Sequence, residues 1–126
     1  MTQQEATDTI FVHDFVLEMM IGIFTHEYLK PQRVRFNVDV AVARIDHLPE
    51  DIHDIVSYDY ITDGISKIAS EGHILFVEAL AERVAKHVLQ QARALQVKVR
   101  VEKLDIRPGS VGVEIIRLKP SGTQAG

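Results

Sequence analysis

Gln32-Arg33-Val34-Arg35-Phe36-Asn37-Val38-Asp39-Val40-Ala41-Val42 alternates polar and apolar residues from Arg33 onward, yielding only at Ala41. Val34, Phe36, Val38, Val40 and Val42 share one face, while Arg33, Arg35, Asn37 and Asp39 share the other. That period of two marks a half-buried strand, running here from Gln32 to Arg44. Val97-Lys98-Val99-Arg100-Val101-Glu102-Lys103 repeats the pattern, with Lys98, Arg100 and Glu102 opposite three valines. Two such strands need an apolar layer to cover their valine faces.

Helices between the strands supply that layer. Ser57 or Asp59 is placed to cap a helix over Tyr60 to Ser70, and Glu71-Gly72 ends it, glycine providing the left-handed residue. A second helix is predicted from Leu75 to Ala94, with Val77, Leu80, Ala81, Val84, Val88 and Leu89 on its apolar face. Thr9 to Leu17 predicts a strand before Gln32, and Val111 to Leu118 one after Lys103. His47 to Asp54 reads as a polar connection, and Asp105 to Ser110, with Pro108-Gly109, as a turn. The order is β-β-α-α-β-β: an α+β domain with a four-stranded antiparallel sheet and two helices on one face. Residues 9–119 form a single domain, and 1–8 and 120–126 read as flexible tails. The other sheet face, bearing Arg33, Arg35, Asn37, Lys98, Arg100 and Glu102, either meets solvent or lines a wet channel in an assembly.

Composition narrows the function classes. The chain has 126 residues, enough for one real core, and 46% are hydrophobic, an ordinary value for a soluble globular protein. No apolar run approaches the roughly 20 residues of a membrane helix. Met1 to Asp8 lacks the basic and apolar regions of a signal peptide, so a cytoplasmic address is expected. Without cysteine there are no disulfides, thiol nucleophiles or thiolate-held metals. A formal charge of −4 with interspersed signs argues against nucleic-acid binding. His13, His26, His47, His53, His73 and His87 show none of the close spacings of a zinc site. Ser57 and Ser110 lack a nucleophile-elbow context, and no glycine-rich phosphate loop is present. The expectation is a small-molecule or protein partner, with no metal and no cofactor.

Four residues stand out chemically. Lys103 has the parity of Val97, Val99 and Val101, so a strand that buries them aims an amine at the apolar layer. A desolvated ammonium needs a carboxylate, a shifted pKa or a ligand, and such amines carry protons in catalysis. The strand could equally end at Glu102 and release Lys103 to water. Glu78 follows four apolar residues at the start of a helix. It either complements the helix N-terminus at the surface or, in a dry site, accepts the paired N–H groups of a guanidinium or an amino-pyrimidinone ring. Glu27 lies in the loop after Gly22, and Tyr58 precedes the first helix as a phenolic acid, a stacking platform or a packing residue.

Ile21-Gly22-Ile23 with Glu27, Pro31-Gln32, Val56-Ser57-Tyr58, Leu75-Phe76-Val77-Glu78 with Ala81-Glu82, and Val99-Arg100-Val101-Glu102-Lys103 occur in that order. Together, from Ile10 to Arg117, they resemble the dihydroneopterin aldolase family of folate biosynthesis. The resemblance implies a tunnelling fold, in which such subunits form ring-like homo-tetramers or stacked homo-octamers with active sites between subunits. It implies a lyase that cleaves 7,8-dihydroneopterin by a retro-aldol reaction into 6-hydroxymethyl-7,8-dihydropterin and glycolaldehyde, without metal or Schiff base. It carries Lys103, Glu27 and Tyr58 over as catalytic residues, and Glu78, Val77 and Tyr58 as pterin-binding residues.

One position departs from the family. Leu104 follows the lysine where proline is usual, and lysine-leucine resembles the sister dihydroneopterin triphosphate epimerases. A triphosphate needs extra cations, for which His26, Lys30 and Arg107 are at hand. Epimerisation, or pterin binding without turnover, therefore stands as the alternative.

Overall fold

The computed structural model describes residues 6–52, 55–106 and 109–120. His53, Arg107, the Pro108 turn and the tail residues 1–5 and 121–126 lie outside these. The chain forms β1 (Thr7–Met19), a short 3-10 turn (Thr25–Tyr28), β2 (Gln32–Ala43), α1 (Tyr58–Ser70), α2 (Val77–Leu89), β3 (Ala94–Ile106) and β4 (Gly109–Leu118). The strands make one antiparallel sheet in the order β1-β2-β3-β4, so the two alternating strands are its centre. This is the expected β-β-α-α-β-β architecture.

Register puts the apolar face together. Phe36 pairs with Val101, Val38 with Val99 and Val40 with Val97, and none of the six is exposed. Ile61 and Ile65 of α1 and Leu80, Ala81, Val84, Ala85 and Val88 of α2 close over them as one core. Each fully buried valine or leucine contributes about 1.5–3 kcal/mol. The helices run antiparallel to each other. The Tyr60 ring in the first turn of α1 stacks on His87 in the last turn of α2, with centroids 4.2 Å apart. The Tyr60 hydroxyl donates to the His87 carbonyl at 3.1 Å.

Two bulges keep the apolar face continuous where the sequence changes parity. Between Val12 and Phe15 of β1 one extra residue is accommodated, with Asp14 left-handed at φ 58°. Ile10 and Val12 therefore reach the same face as Phe15, Leu17 and Met19. A second register shift, opposite Ala41 and Val42, returns Ala94 to the valine face.

Several boundaries differ from expectation. Thr7 and Asp8, read as tail, pair with Ala43 and Val42 because β2 is long enough to offer them a ladder. Tyr58 already belongs to α1, whose cap is Ser57, its hydroxyl accepting from the Asp59 N–H at 3.1 Å. α2 is shorter than Leu75 to Ala94 at both ends. Leu75 and Phe76 precede it, since Ile74 is engaged in a parallel bridge to Ile21. Past Gln90, a turn closed by the Ala94 N–H on the Gln91 carbonyl starts β3. β3 and β4 also extend into the expected 105–110 turn, to Ile106 and from Gly109.

The polar sheet face is cross-linked. Arg35 donates from Nε and Nη2 to both oxygens of Glu102 at 3.0 and 3.2 Å, and Ser110 adds a third bond at 3.0 Å. The Arg35 bonds hold the Glu102 carboxyl below the usual carboxylate range despite its burial. Edge strands β1 and β4 leave Phe11, Ile116 and Leu118 more than half exposed.

Candidate active site

The Lys103 amine comes to rest against a carboxylate. β3 does not stop at Glu102: Lys103 pairs with Val34 on one side and Val111 on the other. Its side chain is only 15% exposed, and Nζ donates to Glu27 Oε2 at 2.6 Å. The sequence parity that aims this amine at the apolar layer thus ends in an ion pair between a half-buried lysine and a buried carboxylate.

Glu27 is delivered by the turn between β1 and β2. Gly22 at φ +122° redirects the chain after Ile21, in a conformation that residues with a side chain rarely adopt. Its missing side chain also makes room, because a Cβ there would lie 2.1 Å from Glu27 Cδ. The Phe24 N–H donates to Glu27 Oε1 at 3.2 Å, and the Glu27 N–H returns to the Phe24 carbonyl at 2.9 Å. Gln32 Nε2 donates to Glu27 Oε2 at 3.0 Å. The carboxylate is 3% exposed. Burial pushes its pKa up, but the bonds from Lys103, Gln32 and Phe24, with the Lys103 charge, outweigh it and hold the value at about 2. Glu27 is therefore an anion at any physiological pH.

Glu78 and Val77 open α2, and their approach is fixed from the same turn. The Gly22 N–H donates to the Ile74 carbonyl at 2.9 Å, and the Ile74 N–H to the Met20 carbonyl at 3.1 Å. His73 Nε2 donates to the Gly22 carbonyl at 2.6 Å while its ring stacks on Tyr28, with centroids 3.9 Å apart. Glu78 thus begins its helix four residues after a segment anchored beside the Glu27 turn. It is exposed and carries no hydrogen bond or ion pair among the described residues.

Tyr58 is not brought to this group within the chain. It starts α1, at the end of the helix pair where Tyr60 meets the last turn of α2, whereas Glu78 is in the first turn of α2. Thirteen residues of helix, spanning about 18 Å, separate the Tyr58 end of α1 from the Gly72–Ile74 end. Its ring is 64% exposed.

A cavity of about 540 Å³ borders Glu27 on its other side, between the 3-10 turn and the end of β3. His26, Lys30 and Arg33 face it, but so do Glu18 and Asp105. Arg33 is committed to Asp105, donating from Nη2 at 2.7 Å and from its backbone N–H at 2.9 Å. Of the cations expected for a triphosphate, His26 and Lys30 are here, and Arg107 lies outside the described residues.

Gly22 and Gln32 join the site in roles that the sequence motifs do not specify, while the buried Glu102 serves the opposite, polar face of the sheet through Arg35. A glycine five residues before a loop carboxylate was the available signal for Gly22. Gln32 shares the parity of Val34 and Phe36, which is the local signal for its burial, whereas nothing local marks Glu102 as buried.

A β-β-α-α-β-β sheet with two helices on its valine face is the tunnelling fold, and here it carries an amine–carboxylate pair at the end of β3. The family model of FolB, dihydroneopterin aldolase, matches residues 10–116, and the chain belongs to that family. Dihydroneopterin aldolases of two Staphylococcus epidermidis strains are 34% identical over 73 residues, 54% of this chain and 60% of theirs. The match thus spans about three-fifths of the length of these relatives. Among solved structures, the Burkholderia thailandensis dihydroneopterin aldolase bound to guanine is 27% identical, with a TM-score of 0.78 over 90% of this chain and 93% of that one. A putative dihydroneopterin aldolase of Vibrio cholerae (23% identical, TM-score 0.81, covering 90% and 98%) shares the fold. So does the Escherichia coli enzyme in complex with neopterin (24% identical, TM-score 0.77, covering 87% and 98%). No helix among the described residues is long and apolar enough to cross a membrane, and no three of their His, Asp or Glu side chains group to hold a metal ion.

Proposed function

We propose that this protein is a lyase that cleaves 7,8-dihydroneopterin into 6-hydroxymethyl-7,8-dihydropterin and glycolaldehyde. The observation that carries the reading is the buried Lys103–Glu27 pair in a chain of this family. The pterin C=N bond beside the side chain is its own electron sink, so the protein need supply only positioning and proton transfer. Breaking the bond between the first and second side-chain carbons sends its electron pair into that C=N bond. The second carbon becomes the glycolaldehyde carbonyl as its hydroxyl loses a proton, and the first carbon gains one from the protein.

The roles divide by chemistry. Glu78, unpaired at a helix start, accepts the paired N–H groups of the amino-pyrimidinone ring, helped by the backbone at Val77. The guanine and neopterin bound by two structural neighbours present that same edge. Lys103 moves protons at the side-chain hydroxyl and the ring nitrogen. Glu27, ionised throughout, orients Lys103 and the substrate hydroxyls rather than exchanging protons. Tyr58 protonates the enamine-like intermediate from a neighbouring subunit, because its own Glu78 lies at the other end of the helix pair. The assembly is a homo-tetramer or homo-octamer of the single domain over residues 9–119.

Leu104 favours a second reading, epimerisation of the side chain or action on a triphosphate. Against the triphosphate, Glu18 and Asp105 offset Lys30 and Arg33 across the neighbouring cavity, leaving little net attraction for a polyanion. One incubation with 7,8-dihydroneopterin and with its triphosphate, in the presence of a chelator, separates the readings by chromatography. A cleaved pterin from the free substrate is expected. An inverted side chain without cleavage selects the epimerase, and an unchanged but bound pterin selects a non-catalytic module.

A further inference from the structure

Gln32 is 8% exposed at the first position of β2. Its Nε2 donates to the Ile21 carbonyl at 2.7 Å and to Glu27 Oε2 at 3.0 Å. Both neighbours only accept, so the amide nitrogen must face them and the orientation has no alternative. The same Glu27 oxygen receives the Lys103 ammonium at 2.6 Å. Remove the amide, and Oε2 keeps one donor while the Ile21 carbonyl, at the residue before the Gly22 turn, loses its buried side-chain donor.

We infer that Gln32 is a positioning residue of the reaction: it ties the Gly22 turn to the Glu27 carboxylate and so fixes where Lys103 presents its amine. This rests on the proposed lyase reading, and it adds a residue that need not touch the pterin. Gln32 is suited to the task because it is neutral. A cation here would compete with Lys103 for the carboxylate, and an anion would repel it. Other charged groups border Glu27 across the cavity, namely Glu18, His26, Lys30, Arg33 and Asp105, but Gln32 is the side chain that bonds Glu27 from β2.

The test uses the full chain with Gln32→Met, which keeps the volume and removes the amide, and Gln32→Glu, which puts an acceptor where the donor was. Two readouts are taken, kcat and KM for 7,8-dihydroneopterin cleavage against pH, and the titration of the Glu27 carboxyl by carbon NMR. For Gln32→Met the expectation is a fall in kcat on the order of tenfold, the effect of one hydrogen bond to a charged group, with KM within about twofold. The Glu27 midpoint should rise from its value of about 2. For Gln32→Glu, activity should be lost at neutral pH and recover as the pH falls and the new carboxyl gains a proton it can donate. A purely structural role would give lower thermal stability with the midpoint and the pH profile unmoved, and that result overturns the inference. If Gln32→Met does not fold, the acid recovery of Gln32→Glu, or its absence, decides. If the unaltered protein does not cleave the substrate, the lyase reading fails, while an unmoved Glu27 midpoint in the variants separately refutes the positioning role.

Discussion

At the scale of single residues, hydrogen-bond donors fix the charge of Glu27 against the effect of its burial. Glu27 is enclosed and receives three donors, so it stays ionised. In the proposed reaction, Lys103 is then the group that carries protons. Lys103→Ala should therefore lower kcat by about 10²–10⁴-fold, the usual contribution of a positioned acid or base, while pterin affinity stays within severalfold. Single-turnover kinetics beside equilibrium binding would show this, and full cleavage by the variant would remove Lys103 from the mechanism. Glu78→Ala should act the other way round, weakening pterin binding by more than about tenfold through the lost charged pair of bonds. Calorimetry with a non-reacting pterin or guanine measures it, and unchanged affinity would mean that the ring is held elsewhere. Strand parity marks Lys103 as a candidate, because side-chain direction in a strand is a local property, but parity leaves open whether the strand reaches it; its pairing with Val34 and Val111 decides that. The partner of Lys103 is not marked, since nothing in the sequence says which of many carboxylates a buried amine will meet.

Among the elements, the turn between β1 and β2 holds the site. Gly22 must be both left-handed and bare, because a Cβ there would fall within 2.3 Å of three Glu27 carboxylate atoms. Gly22→Ala is expected to cost about 1–3 kcal/mol from the backbone conformation alone, and more as the carboxylate is pushed out. Urea unfolding would record the loss, and cleavage should fall with it. A variant as stable and active as the parent would show that the turn tolerates a side chain. The sheet and helices themselves were largely readable from period two and period 3.6. The bulge at Asp14 and the start of α2 were not: one depends on which residues β2 offers in pairing, the other on the Ile21–Ile74 bridge.

The whole molecule adds a pH dependence and, for the proposed reaction, a requirement for neighbours. The Glu27 pKa falls on folding from 4.5 to about 2. A depressed carboxyl contributes stability that is fully present above its unfolded value and is lost as the pH falls through the folded one. The protein should thus lose stability between about pH 4.5 and 2, and Glu27→Gln should flatten that part of the urea-midpoint profile while lowering it at pH 7. An unaltered acid slope would mean that Glu27 is not linked to folding. Tyr58 and Glu78 sit at opposite ends of the helix pair, so a site using both is completed between subunits. Inactive Lys103→Ala and Tyr58→Phe proteins, dissociated, mixed equally and reassembled, should then regain activity at about a quarter of their shared sites. No recovery on mixing would place Tyr58 outside the reaction.

The order of the strands and helices, the face each one buries and the inward aim of Lys103 were properties of the sequence, since periodicity is written in neighbouring residues. The meeting of Lys103 with Glu27, 76 positions apart, was settled only by folding, as were the amide of Gln32 at the same oxygen and the burial of Glu102. The Lys103 and Glu102 contacts depend on the register of β2 with β3, and the placing of Glu27 on one left-handed glycine, none of which neighbouring residues specify.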